Sequence, residues 1–397
     1  MVTYPKDWGE SELGILFDVS AGGDVDRSYF SKNKTIKHPY EIFSNGIDNR
    51  GLYGYTSKPL HEGDSITVTA RGTIGKAFYR SDPYDAIIRL LVLAPKSNDV
   101  SSMFYTYFIN NNIVFEDEHT GVPQLTAPKI KRINMPKPSL PEQKAIAATL
   151  SCIDTHIANL TELIEKKEAI RDGALEDLLS GRTRLVGFCG EWEEYSFDDY
   201  FTLLPNNTLS REKLSERGTI GNIHYGDVLI KYHNNVTDKD DIPRIKADID
   251  TRSFRLLQSG DIIVADTAED ETVGKAIQIC DVSIPLVGGL HTIVCRPNYD
   301  TALGYLGYYI NSKNYHNQLF PHITGIKVSS ISKKAIKTTV LNLPKDIDEQ
   351  KAIVEVLSSL DAEIASLEEE KDKMMQIKAG AMDDLLTGRV RLMRQGG

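Results

Sequence analysis

The chain carries nearly the same helix twice. Residues 142–185 align without a gap on residues 349–392, 207 positions further on, and roughly half of the aligned positions are identical. Glu142-Gln143-Lys144-Ala145-Ile146 matches Glu349-Gln350-Lys351-Ala352-Ile353, and Asp177-Leu178-Leu179-Ser180-Gly181-Arg182 matches Asp384-Leu385-Leu386-Thr387-Gly388-Arg389. Each copy follows a long stretch that differs far more between the halves. A repeated spacer holding two unlike globular units suits reading two unlike things at a fixed distance.

The duplication extends beyond the helices. Trp8 and Phe17 match Trp192 and Phe201, Thr73-Ile74-Gly75-Lys76 resembles Thr272-Val273-Gly274-Lys275, and Thr120-Gly121 matches Thr324-Gly325. The offset grows from 184 to 207, so the second globular unit is longer, with its insertions expected in loops. A period this long means a two-fold duplication, not a solenoid. The units read as mixed α and β. Ser65–Thr69 alternates like a half-buried strand and Ala86–Leu93 like a more buried one. Gly226–Ile230 and Gly260–Val264 read as strands entered from a turn, and Met103–Ile109 and Leu303–Ile310 as short helices.

The repeated segments are heptad helices. Ile146, Leu150, Ile153, Ile157, Leu160 and Ile164 are spaced 4, 3, 4, 3, 4, and Ile353, Leu357, Leu360, Ile364 and Leu367 keep that rhythm. Ser139 and Asp346 stand three residues before Glu142 and Glu349, the spacing of a capping box, and Gly181 and Gly388 are candidate stops. Each helix is expected to run about 38 residues, roughly 55–60 Å. Each stripe could pack on its own globular unit, but their matched length and rhythm favour pairing with each other. Internal two-fold symmetry would make the pair antiparallel.

These residues resemble the specificity subunit of a type I restriction-modification enzyme. The pattern Leu-Pro-x-x-Glu-Gln-x-x-Ile before a long helix ending Leu-Leu-x-Gly marks that family. It stands here as Leu140-Pro141-Glu142-Gln143 with Ile146 and Leu178-Leu179-Ser180-Gly181, and again as Leu343-Pro344 through Glu349-Gln350 with Ile353 and Leu385-Leu386-Thr387-Gly388. The second copy has extra residues between the Pro and the Glu-Gln. The resemblance implies an α+β chain of two mixed α/β target recognition domains (1–139 and 187–343) and two helical spacers (140–186 and 344–397). The spacers would form an antiparallel coiled coil with internal pseudo-two-fold symmetry. Each domain would read half of a bipartite, asymmetric site in double-stranded DNA, and the helices would fix the gap. Two modification (methyltransferase) subunits and two restriction subunits would dock on the chain. S-adenosylmethionine, ATP and Mg are expected on those partners, with no cofactor or metal on this chain.

The bulk properties bound the function. A net charge of −10 argues against nucleic-acid binding by bulk electrostatics, so contacts must come from local patches or a partner. The four cysteines, Cys152, Cys189, Cys280 and Cys295, show no metal spacing, no apolar run reaches membrane length, and the first residues lack a signal-peptide pattern. A reduced, cytoplasmic protein is expected. No Walker loop, dinucleotide fingerprint or His-Glu-x-x-His motif occurs. Gly75-Lys76 and Gly274-Lys275 lack the residues that would complete a phosphate loop, and Ser81-Asp82-Pro83-Tyr84 lacks the second proline of an adenine methyltransferase loop. The chain is expected to bind, not to catalyse.

Candidate DNA contacts cluster in a few places. Residues 27–40 carry Arg27, Lys32, Lys34 and Lys37 among aromatics and without an acid; the alternative is a solvated loop. The glycine-rich stretch 45–55 offers Asn49, Arg50 and Tyr53, or is an ordinary hairpin turn. Lys231, His233 and Asn234 occupy a comparable place in the second half, and Lys76 and Lys275 follow the repeated glycines. Lys131 and Arg132 lie in the basic stretch 129–137, and Lys327, Lys333 and Lys334 in 327–337; these are phosphate clamps or plain surface charge. Two rival functions remain, a two-headed protein-binding scaffold without DNA recognition and a self-contained enzyme. Salt-sensitive DNA binding separates the first from DNA recognition.

Overall fold

The computed structural model describes residues 4–115, 124–325 and 328–392; Lys327 and the Thr120-Gly121 pair lie outside them. The repeated segments form two helices, Leu140–Leu179 and Ile347–Leu386, of 40 residues each. Both stop where expected, at Gly181 and Gly388, which adopt φ of +72° and +71°. The chain divides into two compact units whose boundaries run through the helices. One is Met1–Glu162 with Glu368–Gly397, and the other is Leu163–Leu367.

In the first unit an antiparallel sheet runs in the order Phe17–Ala21, Leu91–Pro95, Ser65–Val68, Ala77–Arg80. Ser65–Val68 is buried along its whole length rather than on one face. The helix Ser102–Asn112 brings Phe104, Tyr105 and Phe108 into one core with Phe17, Ile66 and Leu93. A second sheet runs Phe30–Ser31, Leu52–Thr56, Tyr40–Phe43, Tyr84–Ala86, with its last pair parallel. The stretch expected as one strand at 86–93 is two. Ile88 and Arg89 take left-handed φ of +55° and +59° and donate their N–H groups to Gly23 and Gly22. The turn carries the chain from the second sheet to the first, which a continuous apolar run conceals.

The second unit repeats this plan. Phe201–Leu204, Thr292–Pro297, Ile262–Ala265 and Ala276–Ile279 form the same antiparallel order, and Asn235–Val236 adds a fifth strand. A second sheet runs Leu214–Ser215, Arg244–Ile245, Gly221–Ile223, Leu286–Gly288, again with a parallel last pair. Tyr305–Asn311 is the expected short helix. Gly226–Ile230 is not a strand but part of a helix, Tyr225–Ile230. His224 Nδ1 accepts from the Gly226 N–H at 3.3 Å, and the Asp227 carboxylate accepts from the His224 N–H at 3.4 Å. At the other end the Lys275 ammonium closes the Leu229 and Tyr232 carbonyls at 3.0 and 2.8 Å. Caps at both ends let five residues be helical that pattern alone leaves ambiguous.

Within each unit the two helix segments run antiparallel. In the first, Lys378 pairs with Asp154 at 2.5 Å and His156 with Glu370 at 3.1 Å, while Leu385 and Leu386 share a core with Ile146 and Leu150. In the second, Lys167 pairs with Glu363 at 2.7 Å and Arg171 with Asp361 at 3.5 Å, while Leu178 and Leu179 share a core with Ile353 and Leu357. The seam therefore serves both expected purposes. Its first turns pack on the globular core, and Leu160, Ile164 and Ile364 are buried further along. Ile153, Ile157, Leu360 and Leu367 are half-buried.

Candidate nucleic-acid interface

The repeated Glu-Gln pair holds each globular region to its helices. Gln143 accepts from the Ser101 N–H at 2.8 Å and donates to the Pro138 carbonyl at 2.9 Å. Gln350 does the same with Ala302 at 2.9 Å and Pro344 at 2.9 Å. The glutamates do not close capping boxes. Glu142 is buried and takes the Trp8 indole N–H at 3.1 Å and the Arg391 guanidinium, while Glu349 is buried and takes Arg184 through two bonds of 2.5 Å. The arginine just past the end of one helix thus locks the first turn of the other, inside one unit. Each arginine also lies over a tryptophan ring, Arg391 on Trp8 and Arg184 on Trp192. Tyr107 donates to Asp154 and Tyr308 to Asp361, each at 2.6 Å, which ties the globular region to the helix a third time.

With the frame so fixed, the first unit presents a cleft of about 610 Å³ between its two sheets. Lys34, Asn49 and Arg50 meet there, with Glu41, Tyr79 and the Ser81–Tyr84 loop. Asn49 and Arg50 sit at the tip of the hairpin joining Tyr40–Phe43 to Leu52–Thr56, both left-handed, with φ of +45° and +55°. So the stretch is a hairpin turn that exposes both side chains. Arg27, Lys32 and Lys37 are exposed outside this cleft, and Tyr53 is exposed against Phe30.

At the cleft floor lies a residue that the sequence reading passed over, Arg80. It is 4% exposed, with its guanidinium 3.3 Å from the Phe43 ring centre. Its Nε donates to Thr67 Oγ1 at 2.9 Å and its Nη2 to the Arg50 carbonyl at 2.7 Å. Burial, and then Arg50 beside it, push its pKa down to about 9. Burial likewise pushes the Tyr84 hydroxyl up to about 12. The available signal was strand parity: Arg80 follows Phe78 by two, so both stand on one face of Ala77–Arg80.

The repeated Gly-Lys is a turn. Gly75 and Gly274, at φ of +85° and +92°, close it by donating to the Thr69 and Ala265 carbonyls. A side chain at Gly75 would collide with Phe115. The lysines diverge: Lys76 is exposed, whereas Lys275 is half-buried, its ammonium committed to the two carbonyls described above and its pKa lowered by burial. Lys275 joins His233 and Asn234 around a cavity of about 390 Å³. Asn234 accepts from Asn311 at 2.9 Å, and Lys231 pairs with Asp241 at 2.5 Å. Lys131 and Arg132 are exposed at the end of the helix Ala127–Lys131, and Lys333 and Lys334 are exposed on Lys333–Ile336. The last base of each stretch is committed to a carboxylate, Lys137 to Asp99 and Lys337 to Asp198. Among the described residues no three His, Cys, Asp or Glu converge to hold a metal, and no helix is long and apolar enough to cross a membrane.

Comparison with known proteins decides the family. The model of the type I restriction modification DNA specificity domain matches residues 5–169 and again residues 190–376. The chain belongs to that family. Type I specificity chains are recognition components, not enzymes. One described from Mycoplasma pneumoniae is 33% identical over 177 residues, 43% of this chain and 52% of that protein. This chain thus spans about half of that relative. The MjaX specificity subunit of Methanocaldococcus jannaschii is 24% identical, across 98% of this chain and 95% of its own length. The crystal structure of a type I S subunit from M. genitalium shares the fold, with a TM-score of 0.61, 17% identity and coverage of 95% of this chain and 96% of that one.

Proposed function

We propose that this chain supplies the DNA sequence specificity of a type I restriction-modification complex in the cytoplasm. Each unit reads one half of a bipartite, asymmetric site. Modification subunits, with restriction subunits where the system has them, dock on the chain and bring S-adenosylmethionine, ATP and Mg. The observation that supports this best is that the same Glu-Gln-Arg latch and the same sheet plan carry two different exposed surfaces. Two surfaces on one frame suit two half-sites. The candidate contacts in the first unit are Lys34, Asn49 and Arg50 in the cleft; in the second they are His233 and Asn234 and, separately, Lys333 and Lys334. The 40-residue helices, about 60 Å each, suit a fixed gap of several unread base pairs.

Replacing residues 1–139 by the equivalent region of another family member tests this reading. Methylome sequencing of a host expressing the hybrid with its modification partner should show one half of the motif replaced and the other half kept. A change in both halves would reject independent reading. A methylome that does not respond to the exchange would reject DNA reading by this region.

A further inference from the structure

A buried cation of the first unit, Arg80, forms no ion pair among the described residues. Its two polar contacts are a hydroxyl and a carbonyl. An unpaired buried guanidinium is unfavourable unless something else uses its charge.

The frame itself does not need this arginine. In the first unit Ala77 stands opposite Val68, and its N–H and carbonyl are both held by Asn110. In the second, Ala276 stands opposite Val264 and is held by Asn311 in the same way. Counting along the paired strands from these anchors, Thr67 and Arg80 take the places that Ile263 and Ile279 take in the second unit. There both isoleucines are buried in an ordinary apolar core. The same fold thus closes over two aliphatic side chains, and the first unit carries a cation where packing requires none.

Above Arg80 the cleft is open, lined by Lys34, Asn49 and Arg50 as donors, Arg50 Nη2 resting on the Tyr79 carbonyl, and by Glu41 and Asp82 as acceptors. We propose that this cleft receives an electron-rich acceptor of the DNA, the O6/N7 edge of a guanine or a phosphate oxygen. Arg50 makes the contact, and Arg80 holds the Arg50 backbone in place and supplies the field. The carboxylates favour the guanine. In the major groove the cytosine paired with it presents an amino group that Asp82 or Glu41 can accept, whereas a phosphate gains nothing from two acids. The proposal rests on the DNA-reading function above.

The test uses the full chain with its modification partner, methylome mapping, and binding to duplexes that carry the mapped motif. Asn replaces Arg50 because asparagine tolerates the left-handed backbone there. Arg50→Asn should weaken binding about ten- to a hundredfold. If the contact is a guanine, one base position in one half-site becomes degenerate, and placing 7-deazaguanine there in the wild-type duplex gives a loss that is not additive with Arg50→Asn. If the contact is a phosphate, the motif stays intact, affinity falls on all duplexes alike, and the salt slope shrinks by about one.

Arg80 is a positioning residue. Arg80→Lys should retain part of the affinity. The pair Thr67→Ile with Arg80→Ile, which copies the second unit, should keep the melting temperature while losing the contact. A wild-type complex that methylates a bipartite motif, alongside an Arg50→Asn variant with unchanged motif and affinity, would overturn the cleft and leave the DNA-reading function standing. A wild-type complex that recognises no motif would instead defeat that broader reading.

Discussion

The two units share a frame and differ where the frame opens. In both, a buried glutamate at a helix start is locked by an arginine from beyond the other helix's end, and a glutamine beside it holds the globular region. After the short strand of the second sheet they part. The first unit turns through the hairpin that exposes Asn49 and Arg50, while the second forms the helix Tyr225–Ile230, capped by His224 and Asp227. Beneath the hairpin lie Thr67 and Arg80; at the matching positions of the second unit lie Ile263 and Ile279. Residues that hold the units together repeat, and residues that line the opening do not. The positions that carry the latch and the positions proposed for contact are therefore separate.

The latch gives the largest expected effect and a way to break the comparison. Arg184→Ala strips Glu349 of its cation at 1% exposure and should cost about 3–5 kcal/mol. Arg391→Ala should cost less, because Glu142 keeps the Trp8 indole N–H while the Trp192 indole N–H has no hydrogen-bond partner among the described residues. Urea unfolding of the full chain, with hydrogen exchange resolving the units, checks both. Equal losses would mean that the tryptophan contact adds nothing. The seam comes next. Leu160→Asp buries a carboxylate and should cost about 3 kcal/mol, whereas Leu367→Asp, at a half-buried site, should cost less than half of that. Thermal unfolding of the two variants orders them, and the reverse order would show that the seam is not continuous in its packing.

The smallest effect sharpens the contrast between hairpin and helix. Burial first, and then Arg211, lower the His224 pKa from its ordinary value, with Asp227 opposing and His291 adding to the shift. The cap needs a neutral ring, since His224 Nδ1 accepts the Gly226 N–H. The unfolded chain takes up this proton below about pH 6.5, and the folded one resists it. The stabilisation is therefore fully present above that pH and is lost as pH falls through the lowered folded value. His224→Asn keeps a cap that does not titrate and should flatten the pH dependence of stability between pH 7.5 and 5. Melting curves of both proteins that stay parallel over that range would exclude His224 as the titrating group.

The repeat, the heptad rhythm of Ile146 to Ile164 and of Ile353 to Leu367, and the glycine stops were all legible in the sequence. They are local or periodic, and a period survives whatever packs against it. Glu142-Gln143 and Glu349-Gln350 were legible as a motif but not as a latch, because Arg391 and Arg184 lie far along the chain from the carboxylates they bind. The helix at Tyr225–Ile230 was hidden because its C-terminal carbonyls are closed by Lys275, from a distant turn. Arg80 was passed over, between the Gly75-Lys76 turn and a loop that lacks a catalytic motif. Only the tertiary structure placed it under Arg50, against Phe43 and without an ion pair among the described residues, since burial and charge compensation depend on neighbours brought together by the sheets, not on neighbours in sequence.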